Sequence, residues 1–202
     1  MSKRFKKMKK DDIIHVEESL GHLFLGEKPT LRLLMFRPID IIEFTEFAGV
    51  NSEDIIIWVG KTLAKYFIEQ LFPGVNWDNE TLSAKKEVIQ NILESLENLG
   101  YGMLDSVFLK DKILVSVEDP ISSEERENIM AKNICILYQG LINGVMEQIG
   151  LDADVEEIQC LLKEGDSCIF KFDLLVDEFS SEDIDTEVKS GPIAHYMERY
   201  KV

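Results

Sequence analysis

The sequence predicts a mixed α+β domain in which antiparallel hairpins pack against several helices. Apolar stripes at helical spacing occupy residues 52–72, 80–99 and 123–149, whereas residues 101–117 and 154–176 carry β-rich runs. Proline and glycine mark the changes of period, at Pro38, Pro73-Gly74, Gly100, Pro120 and Gly150. With 202 residues, 45% of them hydrophobic, the chain has the material for one full core. The expected organisation is a basic, disordered tail over 1–12, a single domain over 13–176 with its most informative part from 100 to 176, and a loosely attached acidic tail over 177–202.

Taken in order, Ile13, Ile14, Val16, Leu20, Leu23 and Leu25 stand at roughly helical spacing and predict a helix over 13–29. Leu31 to Phe36 reads as an extended segment stopped by Arg37-Pro38, because proline lacks an N–H and biases its predecessor to extended backbone. Pro38 suits the first turn of a short helix through Phe47. Asn51 and Asp54 resemble the start of a helix over 52–72 with Ile56, Val59, Leu63, Phe67 and Leu71 on one face. Asn79 or Asp78 is the expected cap of the next helix, whose stripe runs through Leu82, Val88, Ile89, Ile92, Leu96 and Leu99.

Tyr101–Leu109 and Lys112–Val117 then read as a hairpin with Lys110-Asp111 in the turn. Ser122 or Ser123, followed by three glutamates, predicts a helix from there to Ile149 with Ile134, Tyr138, Leu141, Val145 and Ile149 in its stripe. Gly140 and Gly144 lie inside that helix, each costing about 1 kcal/mol relative to alanine, so something must approach the backbone closely there. A second hairpin follows over 154–162 and 166–176.

Charge excludes some functions. The net charge is −16, yet six cations and no acid fall in residues 1–10, which leaves the rest of the chain at −22. A body of that sign repels phosphate backbones, so no nucleic-acid partner is expected for it. The sequence has neither an apolar run long enough to span a bilayer nor the apolar stretch of a signal peptide. Three cysteines cannot all pair within one chain and suit a reducing compartment, so a cytoplasmic location is expected.

Those three cysteines are the most informative residues. Cys135 lies in the long helical segment, and Glu157, Cys160 and Cys168 bracket a tight turn. Soft thiolates with one carboxylate are a donor set that a tetrahedral Zn²⁺ accepts. A three-residue loop Lys163-Glu164-Gly165, with Gly165 left-handed, pairs Leu162 with Asp166 and therefore Cys160 with Cys168. Directly opposed residues have Cβ atoms about 4.5–5.5 Å apart, close enough for two sulfurs to share one ion. Glu157, three residues before Cys160, points to the opposite face of a regular strand; either a bulge lies at 157–159 or Glu157 is not a ligand. Inert core packing and a redox or disulfide role are the other readings of the thiols.

From Gly100 to Phe170 the chain resembles the 4-vinyl-reductase (4VR) or hydrocarbon-binding domain family. The resemblance rests on the first hairpin, on Cys135-x4-Gly140-x3-Gly144, and on Glu157-x2-Cys160-x4-Gly165-x2-Cys168-x-Phe170. It implies a fold related to vesicle-tethering TRAPP subunits, commonly a homodimer, with an apolar cavity for a small or acyl-type ligand. Sensor domains of phenol-responsive activators in this group hold a structural zinc with three cysteines and a glutamate, here Cys135, Glu157, Cys160 and Cys168. Four protein ligands would leave no open position for water or substrate, which makes such a metal structural.

The expected function is a small-molecule ligand-binding or sensory module for a hydrophobic, acyl or tetrapyrrole-type ligand. Trp58, Phe67, Tyr101, Met103, Phe108 and Tyr138 are the candidate pocket residues, although each on its own suits the core better than a pocket. Phenol specificity lacks support, because His15, His22 and His195 lie near the termini. No enzyme is expected: no dinucleotide fingerprint, P-loop or nucleophile elbow occurs. The alternatives are a scaffold that dimerises like the tethering subunits or, less favoured, an accessory to vinyl-group reduction.

Overall fold

A computed structural model describes residues 14–19, 22–25, 31–34, 36–125, 127–128, 131–163, 165, 167–188 and 190–200; the basic segment 1–12 lies outside them. The chain begins with an antiparallel meander of β1 (Ile14–Glu17), β2 (His22–Leu25) and β3 (Leu31–Leu33). The helix expected over 13–29 is therefore replaced by strands. Ile14 pairs with Leu25 and Leu23 with Leu33, so cross-strand pairing overrides the roughly helical spacing. Leu25 is buried, and Ile14 and Leu33 pack on the same core.

Helices α1 (Pro38–Ala48), α2 (Ser52–Leu71) and α3 (Leu82–Asn98) follow. Asp40 closes the start of α1 by accepting from the Arg37 backbone N–H at 2.8 Å and pairing with its guanidinium at 2.6 Å. The cap of α3 is Thr81, whose Oγ1 accepts from the Ala84 N–H at 3.2 Å, in place of the expected Asn79 or Asp78.

Four antiparallel strands form the main sheet in the order β4-β5-β7-β6: β4 (Met103–Phe108), β5 (Lys112–Glu118), β6 (Ala153–Gln159) and β7 (Ser167–Leu174). Between β5 and β6 runs α4 (Lys132–Gln148), which starts later than expected, with a short 3-10 turn at Ser123–Glu125 before it. Helix α4 packs against α2 on one side and against β6 and β7 on another, and eleven of its 17 residues are buried. The expected stripe of Ile134, Tyr138, Leu141, Val145 and Ile149 is buried throughout.

The crossing of α2 and α4 explains Gly140 and Gly144. A Cβ on Gly140 would lie 2.7 Å from the Ile57 carbonyl oxygen, and one on Gly144 would lie 2.7 Å from the Lys61 Cα. From the other side, a Cβ on Gly60 would meet the Leu141 nitrogen at 2.6 Å. Backbone therefore rests on backbone, and the buried face of α2 is Ile56, Gly60, Ala64, Phe67 and Ile68, with Val59, Leu63 and Leu71 at its margin.

The described residues of 177–200 are docked on the body through Phe179, Asp185 and Ile193, whereas a loosely attached tail was expected. Phe179 is buried with its ring edge-to-face on Phe108, and its N–H donates to the Lys110 carbonyl at 2.7 Å. Asp185 accepts from the Phe108 N–H and pairs with Lys86, both at 2.8 Å. Helix α5 (Pro192–Tyr200) then lays Ile193 against Val107 and Leu114, covering the outer face of the sheet. Acidic composition concealed these anchors, since only a few apolar residues are needed to hold a short segment once strands offer free backbone groups.

Candidate metal centre

Strand alternation brings the donors together. In β7, Cys168, Phe170 and Phe172 all enter the main core, toward α4. On the facing strand, Glu157 pairs with Phe170 and Gln159 with Ile169, a register shift that places a bulge at Ile158. Before the bulge Ala153 and Val155 pack on the main core; at the bulge Ile158 joins the outer cluster beside Leu114 and Ile193; after it Cys160 is again in the main core. The extra residue thus turns Glu157 and Cys160 to one side, and it resolves the conflict of parity in favour of Glu157.

The ladder ends with Gln159 opposite Ile169, a register that sets Cys160 opposite Cys168 if continued by one pair. The expected conformation of the turn does not hold. Leu161–Lys163 form a 3-10 turn, the Lys163 and Gly165 N–H groups both donate to the Cys160 carbonyl, and Gly165 is not left-handed. Glycine is required there by crowding: a Cβ would lie 2.9 Å from the Cys160 carbonyl oxygen and 3.0 Å from that of Ser167.

One donor atom each from Cys135, Glu157, Cys160 and Cys168 falls within 4.8 Å of all the others, so this cluster can hold a metal ion. The Cys135 sulfur is 3.8 Å from that of Cys168 and 3.9 Å from that of Cys160. Sulfurs held at about 2.3 Å by a tetrahedral ion are about 3.8 Å apart, so the spacing fits. Glu157 Oε1 is buried without a hydrogen-bond partner, an orphaned acceptor of the kind a cation satisfies.

The electrostatics agree. Burial, then the neighbouring Cys160 thiolate, pushes the Glu157 carboxyl up to about 7. Hydrogen bonds from the Cys135 and Cys168 thiols, helped by the Leu162 backbone N–H, drive Cys160 far below an ordinary thiol, while donation to Cys160 drives Cys135 far above one. Three thiols and a carboxyl this close cannot all ionise by themselves. A dication in their midst would take the place of the shared protons.

The six aromatic and methionine candidates do not share one environment. Trp58 and Met103 are exposed, whereas Phe67, Phe108 and Tyr138 are buried in the main core and Tyr101 packs at its margin. Tyr138 has a role that sequence reasoning missed: its hydroxyl donates to the Tyr101 carbonyl at 2.5 Å and accepts from the Ile121 N–H at 3.1 Å, tying α4 to both ends of the first hairpin. Also missed was a groove of ≈410 Å³ beside the thiols, walled in part by Arg199 and Tyr200 of α5. No signal in the sequence links the C-terminal helix to Cys160.

The fold is shared with solved structures. The phenol-responsive sensory domain of the transcription activator PoxR, with phenol, aligns at TM-score 0.54 and 11% identity, over 84% of this chain and 92% of that one. An H-NOX protein from S. oneidensis in the Fe(II)NO ligation state aligns at TM-score 0.51 and 11% identity, over 74% of this chain and 82% of the other. Identities this low establish a common mixed α+β architecture and nothing narrower. No protein-family model matches the chain, and no curated protein matches it in sequence. Among the described residues no helix is long and apolar enough to cross a membrane.

Proposed function

We propose that this chain is a non-catalytic sensory domain for a small hydrophobic ligand, with helix α4 and the β6–β7 hairpin tied by one structural zinc ion. The observation that carries the metal is the donor set itself: three thiols and a carboxylate within 4.8 Å of one another, the Cys135 sulfur at tetrahedral spacing from the other two, with an orphaned buried carboxylate oxygen. Thiolate-rich tetrahedral sites select zinc over the harder cations, and four protein donors leave no place for substrate. The sensory half is supported by the fold shared with PoxR's phenol-responsive domain and an H-NOX protein. Metal analysis of the purified protein is expected to give about one zinc per chain, lost in Cys168→Ser. Native mass spectrometry of protein taken from cells is expected to show a bound apolar molecule; repeated absence of any adduct counts against the sensory half.

Homodimerisation is supported by a separate feature. Phe36, Phe44, Phe47, Val50 and Trp58 are exposed within one short stretch of chain, Phe47 and Val50 almost fully, at 94% and 99%. Large apolar side chains concentrated in this way mark interaction surfaces. Sedimentation is expected to give a dimer that Phe47→Glu converts to monomer; a wild-type monomer at micromolar concentration sinks this reading.

A further inference from the structure

Between β7 and α5 the described residues 175–188 form a strap without helix or strand that crosses the edge of β4. It gathers two side chains of opposite character around one ring. Phe179 is 2% exposed and meets the Phe108 ring edge-to-face, with centroids 5.3 Å apart. Asp185 accepts from the Phe108 N–H with one carboxylate oxygen and from the Lys86 ammonium of α3 with the other, each at 2.8 Å. That ammonium stands 4.7 Å from the centre of the same Phe108 ring and also donates to the Asp183 carbonyl at 2.6 Å. Among the described residues, both acceptors of Lys86 thus belong to the strap. The turn that carries them is closed by its own bonds: the Asp183 and Ile184 N–H groups donate to the Ser180 carbonyl, and the Ser180 hydroxyl donates to Asp183 at 2.7 Å. Those bonds persist whether or not the turn touches the body. Where the strap leaves β7, Leu175 and Val176 are 59% and 83% exposed, so little packing holds that end. A segment anchored by so few buried contacts opens at low free energy.

Lifting the strap uncovers an aromatic ring, a strand-edge N–H and a lysine ammonium at one place. A molecule that takes its position therefore needs an apolar ring and a carboxylate. We infer that Phe179 and Asp185 are a built-in stand-in for an aromatic carboxylate, and that such a ligand binds here by displacing the strap. The inference rests on the reading of the chain as a sensor of small hydrophobic ligands, and it names their chemical class. The ligand's ring packs on Phe108 in place of Phe179; its carboxylate accepts from Lys86 and the Phe108 N–H in place of Asp185. The strap competes as an intramolecular occupant, so apparent affinity falls in proportion to the fraction of molecules with the slot open. Binding also frees the segment between β7 and α5, which turns occupancy into a change of shape.

The test titrates the full chain by calorimetry with phenylacetate, 3-phenylpropionate and 4-phenylbutyrate, and with 3-phenylpropanol as the neutral analogue, while a glutamate-specific protease reports cleavage after the exposed Glu182. At least one acid is expected to bind saturably, with the alcohol weaker by about tenfold or more, the worth of a hydrogen bond to a charged group. Saturation is expected to speed cleavage after Glu182 several-fold. Phe179→Ala vacates the ring's place and is expected to bind the acid several-fold tighter, and Lys86→Met to abolish the preference for acid over alcohol. Equal binding of acid and alcohol, cleavage unchanged or slowed at saturation, or a folded Phe179→Ala protein that binds no tighter than wild type overturns the proposal. Should Phe179→Ala fail to fold, Lys86→Met and the wild-type cleavage rates decide. An apolar adduct in native mass spectra of protein from which all three acids stay unbound removes this inference and retains the sensory reading; absence of both removes both.

Discussion

Helix α4 is held at two places by opposite means. Against α2 it is fixed chiefly by shape, glycine backbone on backbone, with two half-exposed ion pairs at the rim, Lys61–Glu147 at 2.6 Å and Lys132–Glu53 at 3.0 Å. Against the β6–β7 hairpin it is fixed by chemistry, through Cys135 facing Glu157, Cys160 and Cys168. The first joint needs nothing beyond the chain and tolerates no added atom. The second gathers acidic donors that repel one another when ionised, so its strength depends on what lies between them.

The sharpest way to break the symmetry of these joints is to empty the second. Chelation at pH 7 is expected to lower the unfolding free energy by about 4 kcal/mol, the linkage contribution of a ligand present at a thousand times its Kd. Denaturant titrations with and without chelator measure it, and Cys160→Ser should show no further loss on chelation. Gly140→Ala strikes the first joint. Overpacking costs about 1–3 kcal/mol against a gain of about 1 kcal/mol in helix propensity. A net loss of up to about 2 kcal/mol is expected, equal with and without chelator. Tyr138→Phe lies between the joints; it removes one hydroxyl and strands the Ile121 N–H, for an expected loss of about 1 kcal/mol. Glu157→Gln should leave the metal-free fold unweakened and lower zinc affinity, which isothermal titration reads directly.

The sequence made the helices and the second hairpin legible for simple reasons. Helices α2 and α3 carry long stripes ended by Pro73-Gly74 and Gly100, and Gly140 and Gly144 announced a close crossing whose partner, Gly60, lies 80 residues away and went unnoticed. The nearness of Cys160 and Cys168 was legible from their spacing about the turn, although the chain turns through a 3-10 turn at Leu161–Lys163 and not through the expected three-residue loop. What was hidden depends on tertiary partners. Ile14–Glu17 and His22–Leu25 are short, and only their mutual pairing decides between strand and helix. Phe179 and Ile193 look like strays in an acidic tail until strand β4 and the outer face of the sheet receive them. Trp58 and Met103 looked like pocket residues because type and spacing do not distinguish an inward ring from an outward one.

The bulge at Ile158 makes the site vulnerable to changes of length as well as of identity. Removing Ile158 would preserve all four donors and the hairpin turn, yet Glu157 would swing to the outer face and leave three sulfurs without their carboxylate. Inheritance of this cluster therefore requires a count of residues to be conserved, and a descendant could lose its four-donor arrangement through a single codon deletion that touches none of the four.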